Sequence, residues 1–170
     1  MSLRSESRSR ISGLVRQNPG IHLRELQRIL GVSFNSIRYN TERMANSGEI
    51  ICEKDVGYSR FYPLGMPKSE RALYSVSRNR TSFKILIELS KAALLTNKEL
   101  AVRTGFAKST ISEHVHELLG ADIVKLTLSG EGNFKVELRD RERISRLIEE
   151  ISNSRSQGDI VQNFIESWDF

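Results

Sequence analysis

Phe34, Asn35, Ser36, Arg38, Tyr39 and Arg43 crowd into one stretch, GVSFNSIRYNTERM (Gly31–Met44), and most of them share one kind of chemistry. An arginine fork fits the two major-groove acceptors of guanine, an asparagine pairs with adenine, and a serine or tyrosine hydroxyl holds a phosphate oxygen. Nothing in the sequence is arranged to make or break bonds. There is no nucleophile-histidine-acid set and no glycine-rich phosphate loop, and the carboxylates fall where helix caps and surface pairs explain them. The sequence therefore reads as a binder and not as an enzyme, with no cofactor implied.

A second stretch of the same design, GFAKSTISEHVHEL (Gly105–Leu118), follows at a constant offset of 74 residues. Its outward positions hold Lys108, Ser109, Thr110, Ser112 and His116, which suit phosphate contacts, with Lys135 further on. Glu113 stands where the first stretch has Tyr39, and Glu117 and Glu131 deepen the negative field there. A carboxylate beside a phosphate backbone repels it unless it accepts from cytosine, so the first stretch is expected to be the main reader.

The elements that must carry these residues repeat with the same offset. Ile11 answers to Ile85, Val15 to Leu89, Glu25 to Glu99, Leu26 to Leu100, Ile37 to Ile111, Met44 to Leu118 and Ile50 to Val124. In each unit a first helix is expected, SRISGLVRQ and then SFKILIELSKAALL, followed by a short helix opened by a capping box: His22 with Glu25, and Thr96 with Glu99. Gly31 and Gly105 stand where that helix must end, and a new helix starts at once, capped well by Ser33 and poorly by Ala107. Two helices joined by a glycine turn make a helix-turn-helix. Ile37, Thr41 and Met44, and likewise Ile111, Val115 and Leu118, form a buried stripe at helical spacing, which leaves the opposite face outward. The alternating stretches GEIICEKDVGYSRFYPL and ADIVKLTLSGEGNFKVEL turn at Gly57 and at Gly130 and Gly132, and each reads as a β-hairpin wing. Lys54 and Arg60 flank the first tip, where a cation can sit in or beside a minor groove.

The fold class expected is mainly α with small β-hairpin wings: two tandem winged helix-turn-helix domains, at residues 1–66 and 81–139, joined by a linker at 67–80 and followed by a helical segment at 140–170. The linker reads as a short helix or, more simply, a solvated connector. SLRSESRSR at the N-terminus reads as a mobile basic tail. The C-terminal segment carries Ile144, Leu147, Ile148 and Ile151 on one helical face and, after a break near Gly158, Ile160, Val161, Phe164, Ile165 and Trp168 on another. Such stripes must be buried, against the chain's own units or against a second chain.

With 38% hydrophobic residues the chain can build soluble cores, and no apolar run approaches the roughly 18 residues of a membrane helix. The N-terminus lacks the apolar centre of a secretory signal, so a cytoplasmic protein is expected. The one cysteine, Cys52, reads as a small buried strand residue. His114 reads as a half-buried hydrogen-bonding residue, and with His116 two positions away the pair points in different directions, so no metal site is expected. The net charge of +5 is uneven: residues 1–66 carry 10 basic against 6 acidic side chains, and residues 140–170 carry 4 against 7. A basic first half attracts polyanions, because neutralising phosphates releases condensed counterions.

The segments NPGIHLRELQRILGVSFNSIRYNTERMANSGEI, YSRFYPLG, SRNRTSFKILIEL and ELAVRTGFAKSTISEHVHELLGADIV, which span most of residues 10–139, resemble the tandem winged-helix transcriptional regulators widespread in archaea. The last of these is also similar to the DNA-binding segment of the MarR and ArsR superfamily. The resemblance implies a sequence-specific, double-stranded DNA-binding regulator, commonly a homodimer through its terminal helices. Two other readings stay open: an architectural or protein-docking adaptor of the chromosome-organising kind, whose surfaces are typically acidic, and a non-specific DNA-binding protein.

Overall fold

The computed structural model describes residues 3–55, 57–130 and 132–166 of the 170. The chain divides into two units between Arg71 and Ala72. Among the described residues, no helix is long and apolar enough to cross a membrane.

In the first unit, helix α1 (Leu3–Gln17) is followed by a two-residue strand β1 (Ile21–His22), helices α2 (Leu23–Leu30) and α3 (Phe34–Asn46), and a hairpin of β2 (Ile50–Asp55) and β3 (Tyr58–Pro63). The three strands form one antiparallel sheet in the order β1-β3-β2. The N-terminal stretch expected as a mobile tail is instead the start of α1, which reaches back to Leu3. Arg8 on it meets Glu49 at 3.4 Å. The core joins Ile11 and Val15 of α1, Leu26 of α2, Ile37 and Met44 of α3, and Ile21, Ile50 and Phe61 of the sheet.

The second unit repeats the plan after a helix α4 (Lys68–Ser77), with α5 (Arg80–Lys91), α6 (Asn97–Thr104), α7 (Lys108–Gly120), a hairpin of β4 (Val124–Leu128) and β5 (Phe134–Leu138), and a long helix α8 (Arg141–Glu166). α5 begins earlier than its apolar pattern suggested, at the Asn79 cap, whose side chain accepts from the Thr81 and Ser82 N–H groups. It also ends earlier, because Leu95 leaves the helix to pair with Val136 in the place that β1 holds in the first unit. Most of residues 67–80 is helix α4, with Leu73 buried in the second unit's core, so this segment is not simply a solvated connector. Its Leu73, Tyr74 and Val76 supply apolar surface that a core can use.

The C-terminal segment departs from its expected form in one respect. α8 runs unbroken past Gly158, where the sequence suggested a break. A single glycine costs a helix interior only about 1 kcal/mol, which neighbouring turns can outweigh. Ile144, Ile148 and Ile151 are buried in the second unit's core, and Arg141 donates to the Leu89 and Ser90 carbonyls at 3.1 and 2.8 Å. The first part of the apolar stripe is therefore used within the chain. The side chains of Ile160, Val161, Phe164 and Ile165, and Trp168 altogether, lie outside the described residues.

Both capping boxes form as read: the His22 ring accepts from the Glu25 N–H, and the Thr96 hydroxyl from the Glu99 N–H. Gly31 and Gly105 adopt φ of +64° and +76°. A Cβ at either would meet nothing within 4 Å, so it is the left-handed backbone, not space, that calls for glycine. The Ser33 hydroxyl accepts from the Ser36 N–H at 3.2 Å, whereas Ala107 caps nothing.

Leu26 and Leu100 are fully buried at matching positions. Their replacement by alanine is expected to cost about 2–5 kcal/mol each, read by urea denaturation. Ser33→Ala should cost about 1 kcal/mol, and Ala107→Ser, whose backbone already has cap geometry (φ −61°, ψ 146°), should gain a similar amount. The Thr96 N–H and hydroxyl both donate to Glu99, holding its carboxyl below the usual carboxylate range. A group favoured in its charged form by folding stabilises the protein above its ordinary pKa, and that contribution is lost as pH falls through the lowered value. Glu99→Gln is accordingly expected to flatten the acid limb of a stability–pH curve.

Candidate nucleic-acid interface

The buried stripe of α3, Ile37, Thr41 and Met44, turns the rest of that helix outward. Phe34, Asn35, Ser36, Arg38, Tyr39 and Arg43 are all exposed on it, as the pattern required. Arg38 is held by Glu42, one turn on, through Nε to Oε1 at 2.9 Å, and the ion pair keeps the guanidinium even more firmly protonated than usual. That bond uses Nε, and a guanidinium carries four further N–H donors on its two Nη groups. Arg43 donates to the Tyr39 hydroxyl at 2.9 Å with its guanidinium 5.6 Å from the ring centre, so the two form one amphipathic unit.

On the hairpin, Lys54 is exposed opposite Ser59. Arg60 sits further from the tip, donates to the Gly20 carbonyl at 3.1 Å and to the Tyr58 hydroxyl at 3.3 Å, and lies 4.8 Å from the Tyr58 ring centre. Its charge is thus fixed in place and not free to sweep.

Two exposed residues of this unit escaped the sequence reading. Arg24, exposed in the first turn of α2, lies 5.8 Å from the Phe34 ring centre, and Tyr58 stands exposed at the wing tip. The available signal was the run of aromatic and arginine pairs. Phe34, Tyr39 and Tyr58 are each exposed and each covered by an arginine.

In the second unit Lys108, Ser109, Ser112 and His116 are exposed on α7, and Thr110 is half-buried. Ser112 accepts from the Asn97 amide at 3.1 Å, which ties α7 to α6. Lys135, half-buried on β5, faces Thr127 across the hairpin. Glu113 is exposed, and Glu117 lies 3.0 Å from His114 Nδ1. Glu131 lies outside the described residues. The same His114 nitrogen is 3.0 Å from the Ser82 hydroxyl, so His114 is the half-buried hydrogen-bonding residue expected. Lys84, absent from the sequence reading, covers the Phe106 ring of the turn at 5.2 Å.

Cys52 is exposed, contrary to the expectation of a buried residue. β2 is an outer strand of its sheet, and only Ile50 at its base reaches the core.

Comparison with domain-family models agrees with this architecture. A domain-family model described as an N-terminal HTH domain matches residues 5–73, and one described as winged helix-turn-helix DNA-binding matches residues 78–125. No curated protein matches the chain. Among solved structures, a homodimeric winged helix-turn-helix DNA-binding domain from Mycobacterium bovis is 17% identical with a TM-score of 0.46, covering 52% of this chain and 80% of that one. Wild-type MarR from E. coli in its apo form is 16% identical with a TM-score of 0.46, covering 56% and 76%. A MarR family protein from Bacillus stearothermophilus is 17% identical with a TM-score of 0.41, covering 84% and 83%. The helices, the glycine turns, the hairpins and the two domain matches together describe a mainly α chain that carries two consecutive winged helix-turn-helix domains.

Proposed function

We propose that the protein is a sequence-specific, double-stranded DNA-binding regulator of transcription in which the first unit is the main reader, acting by occupying or exposing promoter DNA. The observation that carries this reading is the outward face of α3, where Asn35, Arg38 and the Tyr39–Arg43 pair are exposed together, with the cations Lys54 and Arg60 on the hairpin of the same unit. A recognition helix entering a major groove places such side chains against base edges and phosphates. Lys108, Ser109 and Thr110 give the second unit a weaker, phosphate-directed role. Its exposed Glu113 also favours a second reading, in which that unit docks protein and leaves DNA to the first. The chain acts as a cytoplasmic homodimer through the last part of residues 140–170, since the first part of that apolar stripe is already buried in its own unit.

A selection of bound fragments from random duplex DNA is the direct test. Enrichment of a palindrome supports a dimer, enrichment of two unlike half-sites supports reading by both units, and no enrichment overturns sequence-specific regulation. On the selected site Arg38→Ala should weaken binding by roughly 10- to 100-fold and relax preference at one or two base pairs, while Lys108→Ala should weaken all sequences alike and flatten the salt slope by about one.

A further inference from the structure

The outward side chains of α3 are bonded in pairs one turn apart. Arg38 Nε donates to Glu42 Oε1 at 2.9 Å, and Arg43 donates to the Tyr39 hydroxyl at 2.9 Å. At the repeat offset of 74, Ser112 and His116 stand in place of Arg38 and Glu42, and Glu113 and Glu117 in place of Tyr39 and Arg43. Neither pair keeps a single member in the second unit. The Tyr39–Arg43 pair presents a cation and a ring, which suit a polyanion. The other pair leaves Glu42, the one acidic residue of α3, exposed on the face proposed to meet DNA, where a carboxylate repels phosphates.

Helix stability does not account for that carboxylate. An ion pair at this spacing is better with the glutamate on the N-terminal side, in keeping with the helix dipole, and here the arginine comes first. With its side chains 63% and 59% exposed, the pair adds little to folding in water. Its effect on Arg38 is more specific. A guanidinium has two edges that can donate two parallel bonds, one that includes Nε and one formed by the two Nη groups. Glu42 takes Nε, so the Nη edge is what remains for the O6 and N7 acceptors of guanine. A side chain already held also loses less freedom on binding than one that must first be ordered.

We infer that Glu42 is a positioning and specificity-determining residue of the first unit, which presents Arg38 to guanine through its Nη edge and weakens binding wherever Arg38 lacks that partner. The inference rests on the proposal that α3 is the recognition helix, and adds to it how a wrong site is refused. At a matching site the two bonds to guanine offset the repulsion between Glu42 and the phosphates. On any other duplex the repulsion stands, and Arg38, tied through Nε, is less able to turn to a phosphate oxygen. Glu42 thus lowers affinity in general and lowers it least at the right sequence, and specificity is that difference.

The test measures binding of the full chain, by fluorescence anisotropy, to three duplexes: the selected site, that site with its Arg38-dependent guanine pair replaced, and an unrelated sequence. Glu42→Gln should tighten binding to the unrelated duplex about threefold and steepen its salt slope by about one, because the released Arg38 becomes a phosphate contact. The preference for the selected site over the replaced one should fall about 5- to 10-fold, part of what a bidentate pair confers. Glu42→Asp, which keeps a carboxylate at the same spacing, should retain most of that preference. In an Arg38→Ala background Glu42→Gln should no longer change it. Position 42 is exposed, so thermal melting should be the same for every variant at this position. A preference that Arg38→Ala abolishes and Glu42→Gln leaves unchanged overturns this role while α3 stays the reader. A further change on Glu42→Gln in the Arg38→Ala background makes Glu42 a direct contact and overturns it as well. If the selection yields no preferred site, the reading of α3 itself fails, and the inference with it.

Discussion

Each unit depends on the burial of one stripe of its second turn helix. Ile37, Thr41 and Met44, or Ile111, Val115 and Leu118, must face Leu26 or Leu100, and the left-handed glycine between the helices is what lets them do so. Burial at helical spacing decides the rotation of α3 and α7, and rotation decides which side chains remain outside. A side chain that touches nothing in the core, such as Asn35 or Lys108, is thus positioned by the residues buried on the other side of its helix. The outward face could diverge while the inner stripe stayed the same.

The two units show that divergence. On α3 the exposed set is basic and aromatic, and arginines cover the rings of Phe34 and Tyr39. On α7 the corresponding surface mixes Lys108 and His116 with Glu113, and His114 joins Ser82 and Glu117. The wings diverge as well: the first carries Lys54 opposite Ser59, and the second Leu128 opposite Phe134. One unit thus carries arginines and aromatic rings on its outward helix face, and the other an exposed apolar wing.

Much of this was legible beforehand because it rests on local rules. Helix starts are written in caps such as Ser33 and Thr96, helix ends in Gly31 and Gly105, and facing in the spacing of Ile, Leu, Val and Met. Less legible were the features set by distant partners. Nothing near Ile21 announces that it pairs with Phe61, nor near Leu95 that it pairs with Val136, because a two-residue strand has no period to detect. The burial of Leu73 and the exposure of Cys52 depend likewise on what lies beside them and not on residue type.

By itself the sequence determined the repeat, the helix-turn-helix elements, their caps and the outward identity of Arg38, Asn35 and Lys108, since periodicity and capping are properties of neighbours in the chain. Only the tertiary structure decided which groups those side chains engage. Arg60 is anchored to Gly20, Arg38 is held by Glu42, Ile148 is buried within its own unit, and Leu128 and Phe134 are left in solvent. An apolar residue in an alternating strand faces the side where the core lies, but how far along the strand that core extends is set by the helices packed against it.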